Sequence, residues 1–144
     1  MDHILQNIQD ALQRWPEVAV TPHELSGLRF SLDRSEIGHL HTHGMLDLQL
    51  PPPLKSVLLA EGHVSEHHIL PRPDWASFFL EKDDDEAHAL WLLRLSYLGH
   101  LLTDAGPAPE ALAESRQRAR ALLPSVQLSP ALRAVFDHWL SAQA

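Results

Sequence analysis

Cysteine is absent from the 144 residues, which excludes disulfides, thiolate-bound zinc and a cysteine nucleophile. Long apolar runs are missing as well, and none approaches the roughly 20 residues that span a bilayer. The opening Met1-Asp2-His3 has neither the basic nor the apolar region of a secretory leader. Positive charge is scarce: 11 Lys and Arg stand against 19 Asp and Glu, a net charge of -8. Such a chain repels a phosphate backbone unless its basic residues cluster. Only Arg116, Arg118 and Arg120 form such a run. Gly-rich phosphate loops, G-x-S-x-G and H-E-x-x-H are also lacking. These absences predict a soluble, cytoplasmic protein with no nucleic acid and no membrane among its partners.

Histidine, by contrast, is abundant. Of the 11 in the chain, five lie in two short clusters, His39-Leu40-His41-Thr42-His43 and His67-His68, with Trp75 soon after the second. Imidazole exchanges protons near neutral pH and is the commonest metal ligand, so histidines gathered this way predict a site.

The rest of the composition, 44% hydrophobic and 21% charged, is that of one globular domain. Ile4, Leu5, Ile8 and Leu12 recur at helical spacing between Asp2 and Arg14, and Pro16 stops that helix. The period then changes. Residues 17–20, 27–32, 36–41 and 45–50 read as the strands of a meander, with turns at Gly27 and at Thr42-His43-Gly44. After Pro51-Pro52-Pro53 a short helix ends at Gly62, and Trp75 to Leu80 reads as a further, largely buried strand. The acidic run 83–86 opens a long helix to about Thr103, as the helix dipole favours. Gly106-Pro107-Ala108-Pro109 is the clearest linker. It leads to a helix over 110–123 and a last one capped by Ser129 with Pro130 at its first position. Leu132, Val135, Phe136, Trp139 and Leu140 form an apolar stripe that must dock on the chain's own core or on a second subunit. The fold class is therefore α+β: a mainly antiparallel sheet, a four-stranded meander plus one further strand, with helices packed on one face and two appended C-terminal helices.

Side chains alternate along a strand, which places Ile37, His39 and His41 on one face and Glu36, Gly38 and Leu40 on the other. Gly38 leaves room for close backbone approach or for a ligand. Across the hairpin, Asp47 comes within reach of His39 or His41. A carboxylate on one imidazole nitrogen fixes the tautomer and makes the other a better base or ligand. Three readings follow. One is a metal-free acid/base or ligand pocket with no cofactor, in which His39, His41, His67 and Asp47 do the chemistry. The second is a divalent metal, zinc or non-haem iron, on His39, His41 and His67 with Asp47 or Glu66. The third leaves the histidines solvated, as expected for His43 and His63. Trp75 is either core or a flat platform for a ligand, beside His68. His3, His23, His88, His100 and His138 are scattered and read as surface or helix-end residues.

Glu36-Ile37-Gly38-His39-Leu40-His41, Leu46-Asp47-Leu48, His67-His68, Trp75-x-x-Phe78 and Leu95-Ser96-Tyr97 together resemble a small domain family found in bacterial proteins and in the fungal luciferases, the luciferase domain. The resemblance covers roughly Glu36 to Tyr97. With the linker at 106–109, the chain is expected to divide into a luciferase-like α+β domain over 1–104 and a C-terminal helical extension over 105–144, packed on the same domain or on a second subunit. The resemblance implies an oxygenase-like pocket, because fungal luciferases oxidise a hydroxylated styryl-pyrone with molecular oxygen, without flavin or added metal, through a peroxidic intermediate that loses carbon dioxide. His39, His41 and His67 stand where those enzymes have histidines. Asp47 departs, since they carry a histidine at that place, and the turn before it differs in length. The chain is also expected to lack their long N-terminal extension with its membrane anchor, so light emission and the pyrone are not carried over. The element order is similar, too, to that of double-wing domains, some held to bind DNA, a role the acidic charge argues against.

The resemblance and the residues converge on a first expectation: a cofactor-independent oxygenase or acid/base enzyme for a small hydroxy-aromatic or enolic molecule. His39, His41, His67 and Asp47 would be catalytic. Gly38, His68 and Trp75 would line the substrate, and Glu36 would stand behind the histidines. The alternatives are a non-catalytic small-molecule-binding module, with a homodimer through the C-terminal helices, and a metal-dependent enzyme using the same histidines.

Overall fold

A computed structural model describes residues 2–24, 26–33, 35–67, 72–104 and 108–141. The elements run α1 (Asp2–Gln13), β1 (Val18–Pro22), β2 (Leu28–Leu32), β3 (Ser35–Leu40), β4 (Met45–Gln49), α2 (Pro52–Ala60), β5 (Ser65–Glu66), β6 (Trp75–Phe79), α3 (Asp85–Thr103), α4 (Pro109–Leu122), a 3-10 turn (Leu123–Ser125) and α5 (Pro130–Ser141). Six strands form one antiparallel sheet in the order β1-β2-β3-β4-β6-β5. The α+β class and the meander are as expected. The two-residue β5 is too short to show any periodicity in the sequence.

Alternation sorts the sheet into two sides. Phe30, Leu40, Leu46, Leu48 and Ala76 are fully buried in one core with Ile4, Ile8 and Leu12 of α1 and Leu92, Leu93 and Leu95 of α3. Helix α3 buries nearly every position from Leu92 to Leu102, as a helix does when it is enclosed on all sides rather than on one stripe. The stripe on α5 docks within the chain. Leu132 and Phe136 are buried, Val135, Trp139 and Leu140 pack beside them, and α5 lies against α2 and α3. Ser129 caps α5 by accepting from the Leu132 N–H at 3.2 Å, and Gly62, with φ +78°, ends α2 where the His63 N–H reaches back to the Leu58 carbonyl.

Strict alternation fails at one point. Phe30 pairs with Gly38 and Ser31 with Glu36, so Ile37 is an extra residue bulged out of the β2–β3 ladder. The bulge corrects the expected faces. Ile37 turns into the core at 0% exposure, and Glu36 joins His39 on the opposite side. Ser96 Oγ, on α3, lies 2.8 Å from the Ile37 carbonyl and 2.8 Å from that of Gln49, and so supplies the bulged peptide with a partner.

Candidate functional site

The register places Arg29 opposite His39, His39 opposite Asp47, Asp47 opposite Ser77 and Ser77 opposite Ser65. One polar row thus crosses five strands on the side of the sheet away from α3. Cross-strand neighbours of this kind are close enough for side chains to bond directly.

Asp47 is the centre of the row, at 1% exposure. Its Oδ1 accepts from Ser77 Oγ at 2.6 Å. Its Oδ2 accepts from His39 Nε2 at 2.9 Å and His41 Nε2 at 3.1 Å, and His67 Nε2 stands 3.6 Å away. The other nitrogens face outward to their own partners: His39 Nδ1 donates to Glu36 Oε2 at 2.5 Å, and His41 Nδ1 lies 3.4 Å from Ser26 Oγ. Arg29 Nε is 3.1 Å from Glu36 Oε1, and its Nη2 donates to Glu24 at 2.8 Å. The His23 ring stacks on His39 with centroids 4.3 Å apart, and Trp75 lies 5.3 Å from His39 and 6.1 Å from His67. Lys55 of α2 fixes the approach of His67: its Nζ donates to Glu66 at 2.7 Å and also to the Arg72 carbonyl.

Burial opposes charge on His39, but the hydrogen bonds to Asp47 and Glu36 outweigh it and raise its pKa to about 9. Burial also opposes charge on Asp47, yet the donors His39 and Ser77 hold its carboxyl well below the usual carboxylate range. Burial pushes His41 down by more than its hydrogen bond to Asp47 pushes it up, and burial with the neighbouring His39 lowers His23. At neutral pH one carboxylate, one imidazolium and one neutral imidazole therefore share a few ångströms, the kind of separation that lets a single site handle both acid and base.

The structure brings together His39, His41, His67, Asp47, Glu36 and Trp75. Gly38 lies on the other side of the strand. A Cβ there would meet the Asp47 carbonyl at 2.8 Å and Leu93 Cδ2 at 3.3 Å, so the glycine serves close backbone approach and leaves no space for a ligand. His68 lies outside the described residues. His43 is exposed, its ring 5.3 Å from His41. Three histidines depart from expectation: His23 joins the cluster, His100 is buried at 7% exposure with its Nε2 on the Gln49 carbonyl at 2.9 Å, and His63 is not fully solvated but partly buried, against Trp91. Ser26, Arg29 and Ser77 are site residues that the sequence motifs do not mark. Ser77 alone has a signal, since it alternates with the buried Ala76 and the partly buried Phe78.

Residues 34–96 match the family model described as Luciferase domain, the family indicated by the Glu36–His41 and Trp75–Phe78 motifs. Searches of the curated proteins and of the solved structures found no match. Among the described residues no helix is long and apolar enough to cross a membrane.

Proposed function

We propose that this chain, a Luciferase domain over residues 34–96, is an enzyme that works at the Asp47 centre on a small hydroxy-aromatic or enolic molecule. The observation that carries this reading is the convergence of three imidazole nitrogens on one buried carboxylate oxygen. A substrate hydroxyl gives up its proton most readily where positive charge waits for the oxyanion, and the His39 imidazolium beside Asp47 is the charge that supports this. The proton passes to a nitrogen of the cluster, and the electron-rich carbanion or phenolate that remains is the species that reacts with dioxygen. Trp75 and His23 offer flat faces beside the reacting group, suited to a planar ligand. The family match supports an oxidation; the residues themselves support the proton transfer.

The test is oxygen uptake by the protein against a panel of enolic and phenolic compounds. Asp47→Asn and His41→Ala are expected to lower turnover of any active compound by at least about 100-fold, the usual scale for a positioned acid or base. Unchanged turnover in His39→Ala, His41→Ala and His67→Ala alike would end this reading.

A further inference from the structure

We infer that the same cluster is a binding site for one divalent transition-metal ion, with His39 Nε2, His41 Nε2 and Asp47 Oδ2 as ligands and His67 at its edge. The inference deepens the proposed function and rests on its reading of this cluster as the working centre. Three observations lead to it. First, the ligand atoms of His39, His41 and Asp47 lie within 4.8 Å of one another. For bonds of about 2.0–2.1 Å at tetrahedral angles, neighbouring ligand atoms are about 3.3 Å apart. The separations from Asp47 Oδ2 to the three Nε2 atoms are 2.9, 3.1 and 3.6 Å, which bracket that spacing. A cation could therefore enter by small side-chain rotations.

Second, each ligand is oriented by a partner on its far side. Glu36 holds His39 Nδ1, Ser26 Oγ is within reach of His41 Nδ1, and Ser77 occupies Asp47 Oδ1. An imidazole whose Nδ1–H is tied to a carboxylate presents its Nε2 lone pair inward as a stronger donor. Third, the donor chemistry is selective. Two imidazoles and one carboxylate without sulfur suit iron(II), zinc or cobalt(II), and a two-His, one-carboxylate set leaves coordination positions open for a ligand. Those positions would lie on the open side of the sheet, where Trp75 and His23 flank the centre. A bound cation replaces the protons now shared between Nε2 and Oδ2, and keeps positive charge at the same point.

The test uses untagged full-length protein purified without chelator. Elemental analysis is expected to find about one iron, zinc or cobalt per chain, and metal-stripped protein is expected to take up cobalt(II) with visible ligand-field absorption. His39→Gln and His41→Gln should abolish that absorption. Glu36→Gln, which leaves all ligands in place, should weaken cobalt binding about 10–100-fold. His63→Gln and His88→Gln, away from the cluster, should change nothing. Thermal unfolding of each variant without metal shows that the folded state survives. A wild-type protein that binds no cobalt(II), or binds it equally with and without His39 and His41, overturns the inference. Metal binding without oxygen uptake sinks only the enzyme reading. Oxygen uptake by metal-stripped protein that also fails to bind cobalt(II) sinks only the metal.

Discussion

Asp47 illustrates how one residue sets the character of the site. A carboxylate at 1% exposure is costly unless its lone pairs are taken up, and here Ser77, His39 and His41 take them up. The histidines are in turn aligned by the charge they surround. Ser77→Ala removes the donor on Oδ1 and leaves a buried carboxylate oxygen without that partner, which typically costs about 1–3 kcal/mol. Urea unfolding at neutral pH is expected to show a loss in that range. A midpoint equal to wild type would mean that another group satisfies Oδ1. That Asp47 meets His39 or His41 was legible in the sequence, because the turn at Thr42-His43-Gly44 brings the two strands side by side; the register then sets His39 opposite Asp47. Ser26 and His23 were not legible, since both reach the cluster from the connection between β1 and β2, where polar residues carry no period of their own.

The decisive element is β3 with its bulge. Were Ile37 in regular register and not bulged, Glu36 would face the core and His39 would lack its second carboxylate. Strict alternation predicts that wrong face, because a bulge leaves no mark in a six-residue strand until its partner strand is known. Helix α3 stabilises the bulge through Ser96, whose hydroxyl lies between the Ile37 and Gln49 carbonyls. This gives the Leu95-Ser96-Tyr97 motif a physical role. Ser96→Ala empties a fully buried position and is expected to cost about 1–3 kcal/mol, with faster amide hydrogen exchange along β3 than elsewhere in the sheet. Loss of stability with uniform exchange would show that Ser96 supports the core generally and not the bulge.

For the molecule as a whole, one side of the sheet carries the helices and the core while the other carries the polar row, so stability and chemistry are separable by face. His100 belongs to the first. It sits near the end of α3 on the Gln49 carbonyl, and burial lowers its pKa against the weaker opposing pull of Gln49, Asp104 and Asp74. A histidine with a lowered folded pKa leaves stability intact above its unfolded value, about 6.5. Below that pH the unfolded chain takes up a proton that the folded chain resists, and stability falls until the folded pKa is passed. His100→Gln keeps a side-chain N–H for Gln49 and should flatten the part of the stability–pH curve just below 6.5. A curve of unchanged slope would assign that acid sensitivity to other groups. The burial of His100 was hidden in the sequence because α3 is enclosed all round, and a polar residue there looks like a helix-end residue until the neighbouring sheet is in place.

Everything proposed for this chain depends on three imidazoles sharing one carboxylate. Long-range proton–nitrogen correlation spectra of the histidine rings, recorded on wild-type protein and on Asp47→Asn, measure that sharing directly. The Nε2 signals of His39, His41 and His67 are expected to move together in the variant, while those of His3 and His138, exposed and remote from the cluster, stay where they are. Movement of His39 alone, or of none of the three, would contradict the convergence on Asp47.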